Sequence, residues 1–207
     1  ASLLVSDLGT RPMKIQAQTF ERLVLGQLYE TTGVRENQDI LDHYIAVIEG
    51  KTGSLIAAAG EYGSLLAGAS EEVIQMLATY GELVGVAFQL ADDVIDIVSD
   101  GASSGKTQGT DLREGVPTLP TILLNRAAEA GDESARQVRT LIEADLSSDD
   151  ALAAAVSALA AHPVTQEAWQ IAYNWADRAI AAIAPLPDST AKAALESFAH
   201  AVVHREG

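Results

Sequence analysis

The segment Phe88-Gln89-Leu90-Ala91-Asp92-Asp93-Val94-Ile95-Asp96, with Asp100 beyond it, sets a group of carboxylates into an otherwise apolar stretch. At about 100° per residue from Gln89, Asp92 falls near about −60°, Asp93 near about +40°, Asp96 near about −20° and Asp100 near about +20°. These side chains therefore share one stripe of a greasy helix. Carboxylates this close repel one another, and in a buried place they need water around them or cations between them. An acidic, solvated helix end is the plain alternative. Acid is disfavoured at a helix C-terminus, however, so a cluster there calls for a compensating charge. Oxygen-only ligands without a nearby histidine suit Mg2+ best, and Mg2+ on one or two carboxylates usually takes substrate phosphates as well. Lys51-Thr52-Gly53 and Lys106-Thr107 supply isolated cations in a strongly acidic chain. Each lysine alone reads as a solvated surface residue. Together with Asp92, Asp93 and Asp96, Lys51 and Lys106 make a diphosphate site.

Other patterns carry less. Gly101-Ala102-Ser103-Ser104-Gly105-Lys106-Thr107 looks like a nucleotide-binding loop. It has one residue too few between its glycines and follows a helix, not a strand, so that reading is rejected. His200 and His204 have metal-like spacing but no third ligand nearby, and a solvated helix face accounts for them. No nucleophile motif for Ser/His/Asp catalysis is present.

Nearly the whole chain has helical periodicity. Phe20, Leu23, Val24, Gln27 and Leu28 recur at three- and four-residue steps, and Tyr44, Val47, Ile48, Leu55, Ile56 and Ala59 continue the period. Glu71–Val98 reads as one long helix with Ser70 as its N-cap. Its middle, Leu83–Ala91, is apolar on almost every side, which places it at the centre of a bundle. Further helices are expected over Leu119–Ala130, Glu133–Asp145, Asp149–Ala161, Thr165–Ala184 and Ser189–Arg205. Alternating Val/Ile/Thr runs are absent, so no sheet is expected and the fold class is all-α. Gly101–Pro117 is the one long irregular segment, and such loops in compact domains are often functional.

Composition narrows the function classes. The chain has 207 residues, enough for one domain. Its 13 basic and 29 acidic residues give 13 − 29 = −16. That charge argues against nucleic acid or anionic lipid as partner. There is no cysteine, which removes disulfides and thiolate chemistry. No apolar run reaches the roughly 20 residues of a spanning helix. No signal peptide opens the chain, so a cytoplasmic, not membrane-spanning protein is expected. The chain begins at Ala1 inside an apparent helix, which suggests a processed or truncated chain.

At this point the residues resemble the trans-isoprenyl diphosphate synthase family. The matching motifs occur in the family's order. Gly26-Gln27 with Glu30 precedes Lys51-Thr52-Gly53; Phe88-Gln89 with Asp92-Asp93 and Asp96 resembles the second aspartate-rich motif; Gly105-Lys106, Gly109-Thr110-Asp111-Leu112 and Gly115 lead into Pro117-Thr118-Leu119-Pro120. The resemblance implies an all-helical bundle around a central cavity. It also implies Mg2+-dependent condensation of isopentenyl diphosphate with an allylic diphosphate to make trans-prenyl diphosphates. In that scheme Asp92 is the main metal ligand and Asp93 and Asp96 assist. Lys51 and Lys106 hold the allylic diphosphate, and Thr52 and Gln89, beside Phe88, line the site near the developing cation.

Two departures stand out. Val116 occupies a position where many relatives carry lysine. The family's first aspartate-rich motif and its isopentenyl-binding segment have no counterpart in this chain. Residues 1–207 are therefore expected to be the C-terminal portion of a single prenyltransferase domain, inactive alone, with the missing N-terminal half as partner and a homodimer as the family's habit. A non-catalytic subunit of a heteromeric synthase is the alternative. The retained Asp92, Asp93 and Asp96 favour the enzyme. A di-iron carrier would need Glu-x-x-His pairs, which are absent. Gly105–Pro120 argues against a terpene cyclase.

Overall fold

The computed structural model describes residues 2–99 and 108–205. Among the described residues there are no strands, and the fold is all-α as expected. The helices are α1 (Ser2–Ser6), α2 (Thr10–Thr32), α3 (Ile40–Ile48), a π-helical turn (Glu49–Gly53), α4 (Ser54–Leu66), α5 (Glu71–Val98), α6 (Thr110–Glu114), α7 (Leu119–Glu129), α8 (Glu133–Ile142), α9 (Asp149–Ala161), α10 (Pro163–Ala182) and α11 (Thr190–His204). They fall into two compact units. One comprises Ala1–Gln89 and Tyr173–Val203, the other Leu90–Ala172 and His204–Gly207.

Most helix limits agree with the sequence reading, and the differences have local causes. Pro163 opens α10 two residues early, because proline at the first helical position gives up an N–H that would be unpaired anyway. The α8 helix stops at Ile142, three residues short of Asp145. Within Gly101–Pro117, expected to be irregular, Thr110–Glu114 forms the short helix α6.

In the first unit, α2 packs on α3, α4 and the π-helical turn. Glycine lets the backbones touch. A Cβ on Gly50 would lie 3.0 Å from the Gly26 Cα, and a Cβ on Gly85 would lie 2.7 Å from the Gly53 Cα. The same holds for α4 against α5, where a Cβ on Gly81 would meet the Ile56 carbonyl oxygen at 2.5 Å. Arg22 of α2 fixes this approach by donating to both carboxylate oxygens of Glu82 on α5, at 2.6 and 3.1 Å. The opposite side of α2 carries Met13, Phe20, Val24 and Leu28, all exposed. The apolar stripe that makes this helix legible is thus not the face it buries.

Tyr80 is buried on α5 and donates its hydroxyl to the Leu195 carbonyl at 2.6 Å. Burial pushes its phenol up to about 12. A phenol raised in the folded state contributes stability that is complete below the unfolded value near about 10 and is lost as pH rises through the folded one. We expect alkaline unfolding between those limits, with Tyr80→Phe flattening that part of the stability profile. A Phe variant with an unchanged slope would remove Tyr80 as the cause.

In the second unit, α7 packs on α8 and α8 on α9. Leu119, Ile122, Leu124, Ala128, Ala135, Ala155 and Leu159 make its interior. The part of α5 in this unit supplies the fully buried Leu90, Ala91, Val94 and Ile97. By length and composition α5 could cross a bilayer, contrary to the sequence expectation that no segment could. Its burial inside protein accounts for that apolarity equally well, since a helix greasy all round is either a core helix or a membrane span.

Candidate active site

Lys51 and Thr52 sit in the π-helical turn between α3 and α4. A π-turn inserts a residue into the helix, shifts the side chains that follow, and is frequent at functional sites. Here Gly50 and Gly53 flank the two side chains and press against Gly26 and Gly85. The turn is therefore clamped from both sides by backbone. Thr52 Oγ1 donates to Gln89 Oε1 at 3.3 Å, which makes these two side chains neighbours. Phe88 and Gln89 are both half-buried on α5. Lys51 Nζ donates to Glu30 Oε2 at 2.6 Å, and Gln27 Nε2 donates to the same oxygen at 2.8 Å. Glu30 thus anchors the lysine, a role that sequence reasoning did not assign although it had marked the residue. In the same turn, burial first and Glu82 second raise the Glu49 carboxyl above its usual range, and Arg22 pulls it partly back.

In the second unit the aspartates separate into different environments. Asp93 is buried, and its Oδ2 accepts the Leu119 N–H at 2.9 Å. It thereby caps α7, whose own Thr118 N–H donates to Thr121 Oγ1 at 2.9 Å. Asp96 Oδ2 accepts the Asp111 N–H at 3.3 Å, and its carbonyl accepts the Gly109 N–H at 2.9 Å. Gly109 has a φ of 73°, in the left-handed region, and a Cβ there would meet Val156 Cγ2 at 2.4 Å. Only glycine combines that φ with that contact. Arg113 then ties α6 to α9 through Asp149 at 2.6 Å. Asp92 is half-buried, as Asp96 is, and its Oδ1 accepts from the Arg205 guanidinium at 2.8 Å.

Lys106 lies outside the described residues. Val116 is exposed, and so are His200 and His204 on α11. Among the described residues no three His, Cys, Asp or Glu side chains form a ready metal cage. The donor set still suits Mg2+. That ion keeps several waters and takes one or two carboxylates plus substrate phosphate in place of an all-protein cage. Asp92, a hard oxygen donor already set against a positive charge, fits that requirement.

Residues 1–159 match the family model described as polyprenyl synthetase. The chain is 42% identical over 207 residues to nonaprenyl diphosphate synthase of Mycobacterium tuberculosis, covering all of this chain and 61% of that protein. It is 33% identical over 204 residues to octaprenyl diphosphate synthase of Escherichia coli, covering 98% of this chain and 62% of that one. Among solved structures it superposes with a TM-score of 0.87 and 40% identity on geranylgeranyl pyrophosphate synthase from Corynebacterium glutamicum complexed with calcium and isoprenyl diphosphate. That match covers all of this chain and 63% of the other. The chain thus spans about three-fifths of the length of these relatives.

Proposed function

Because this chain belongs to the polyprenyl synthetase family, we propose that the protein containing it condenses isopentenyl diphosphate with an allylic diphosphate to make trans-prenyl diphosphates. One observation carries this reading: a half-buried carboxylate, Asp92, sits beside Asp93 and Asp96 at the end of α5 and accepts from the Arg205 guanidinium. Mg2+, when bound, neutralises the diphosphate leaving group so that it can depart as the allylic cation forms. Asp92 is the ligand this motif contributes. Asp93 and Asp96 assist by holding α7 and the start of α6 where the site needs them, with any metal contact of theirs made through bound water. Lys51, and Lys106 by resemblance, hold the allylic diphosphate. Thr52 and Gln89 present fixed dipoles to the developing cation beside Phe88, and such dipoles act strongly where water is excluded. The isopentenyl double bond then attacks the cation, and a proton is lost from the product.

The chain spans about three-fifths of the length of its relatives, and the complete reaction is proposed for the whole protein. The exposed stripe Met13, Phe20, Val24 and Leu28 is suited to contact with further protein. The lysine assignment is tested in the full-length protein. Lys51→Ala should raise the allylic KM or lower kcat by roughly tenfold, the scale of one lost charge-assisted hydrogen bond. Lys106→Ala should act on the same substrate. The isopentenyl KM should move much less. Equal effects on both substrates, or none, would displace these lysines from the allylic site.

A further inference from the structure

The proposed reaction leaves one contact at its centre unused. Arg205, one residue past α11, donates Nη2 to Asp92 Oδ1 at 2.8 Å. The side chains of both partners remain partly exposed, at 31% and 42%. The other two aspartates of the motif accept backbone N–H groups, from Leu119 and from Asp111. Those amides stand at the starts of α7 and α6 and cannot leave without unwinding helix. A guanidinium on a long side chain can.

We propose that Arg205 is an exchangeable counter-ion for Asp92. It holds the carboxylate while the metal is absent and must be displaced for the metal to bind, so metal entry frees the segment around Arg205. The inference rests on Asp92 as a metal ligand and adds what occupies that ligand beforehand. The contact has the right strength for exchange. A partly exposed ion pair is weak enough for a divalent cation to replace it, yet strong enough to shift metal affinity measurably. By reciprocity, whatever Arg205 costs the metal, the metal costs Arg205.

The test is Mn2+ binding to the full-length protein without substrate, followed by the electron paramagnetic resonance signal of free Mn2+. In Arg205→Gln the site that depends on Asp92 should bind Mn2+ about two- to fivefold more tightly. Arg205→Lys, which keeps the charge, should stay close to wild type. Hydrogen exchange in the peptide around residue 205 should rise on Mn2+ addition in the wild type and stay constant in Asp92→Asn. Unchanged or weaker Mn2+ binding in a folded Arg205→Gln protein, with the site lost in Asp92→Asn, would overturn the counter-ion and leave the metal ligand standing. Full Mn2+ affinity and stoichiometry in Asp92→Asn would overturn both.

Discussion

Asp92→Ala in the full-length protein should lower kcat/KM by about a hundredfold or more, the scale of about 3 kcal/mol of transition-state stabilisation. The reason is its position. Its Oδ1 accepts from the Arg205 guanidinium, on a helix that carries many core residues. On the proposed reading its loss removes a ligand from the metal and diphosphate cluster while leaving α5 packed, so the melting temperature should hardly move. Asp93→Ala provides the contrast. Asp93 is buried and caps α7 through the Leu119 N–H. Deleting it strands a buried donor and should cost about 1–3 kcal/mol of stability. Steady-state kinetics and thermal unfolding on both variants separate the roles. Near-normal turnover with normal Mg2+ dependence in Asp92→Ala would refute the metal assignment.

Gly85→Ala should be a strongly damaging single-methyl change at the π-helical turn. Its Cβ would stand 2.7 Å from the Gly53 Cα, and the obstructing atom is backbone, which cannot rotate away. The π-helical turn would have to lift from α5, and Thr52 would move from Gln89 with it. Overpacking of this kind costs about 1–3 kcal/mol. We expect lowered stability together with loss of allylic-substrate turnover, because the turn carries Lys51. Gly63→Ala is the matched control. Gly63 lies in α4 with nothing within 4 Å of an added Cβ. Alanine there should add up to about 1 kcal/mol by helix propensity and reduced unfolded-state freedom. Denaturant unfolding checks both variants. If the two glycines respond alike, the close approach of the turn to α5 is not what the site depends on.

Much of this protein is legible in one dimension because helices write a period into sequence. The three-to-four-residue recurrence places most elements within a few residues. The Ser148 side chain caps α9 by accepting the Ala151 N–H. The motif Asp92-Asp93-x-x-Asp96 and the Lys51-Thr52-Gly53 turn are likewise visible as residue types at fixed spacing, and they carry the family assignment with them. Periodicity says that a face is apolar, however, and not what covers it. The stripe Phe20, Val24 and Leu28 makes α2 recognisable and remains exposed, while glycine forms the contact on the buried side.

What only the tertiary structure decided follows from contacts between residues distant along the chain. The helical angle puts all the aspartates on one stripe and cannot tell them apart. Folding distinguishes them by bringing the α7 amide to Asp93, the α6 amide to Asp96 and the Arg205 guanidinium to Asp92. Nothing local marks Glu30 as the anchor of Lys51, or Gly85 as the seat of Gly53, because each pairing depends on how two helices cross. Residue type and period therefore determined which side chains are chemically capable. The approach of separate backbones, set by glycine contacts and buried amides, determined which of them face a charge.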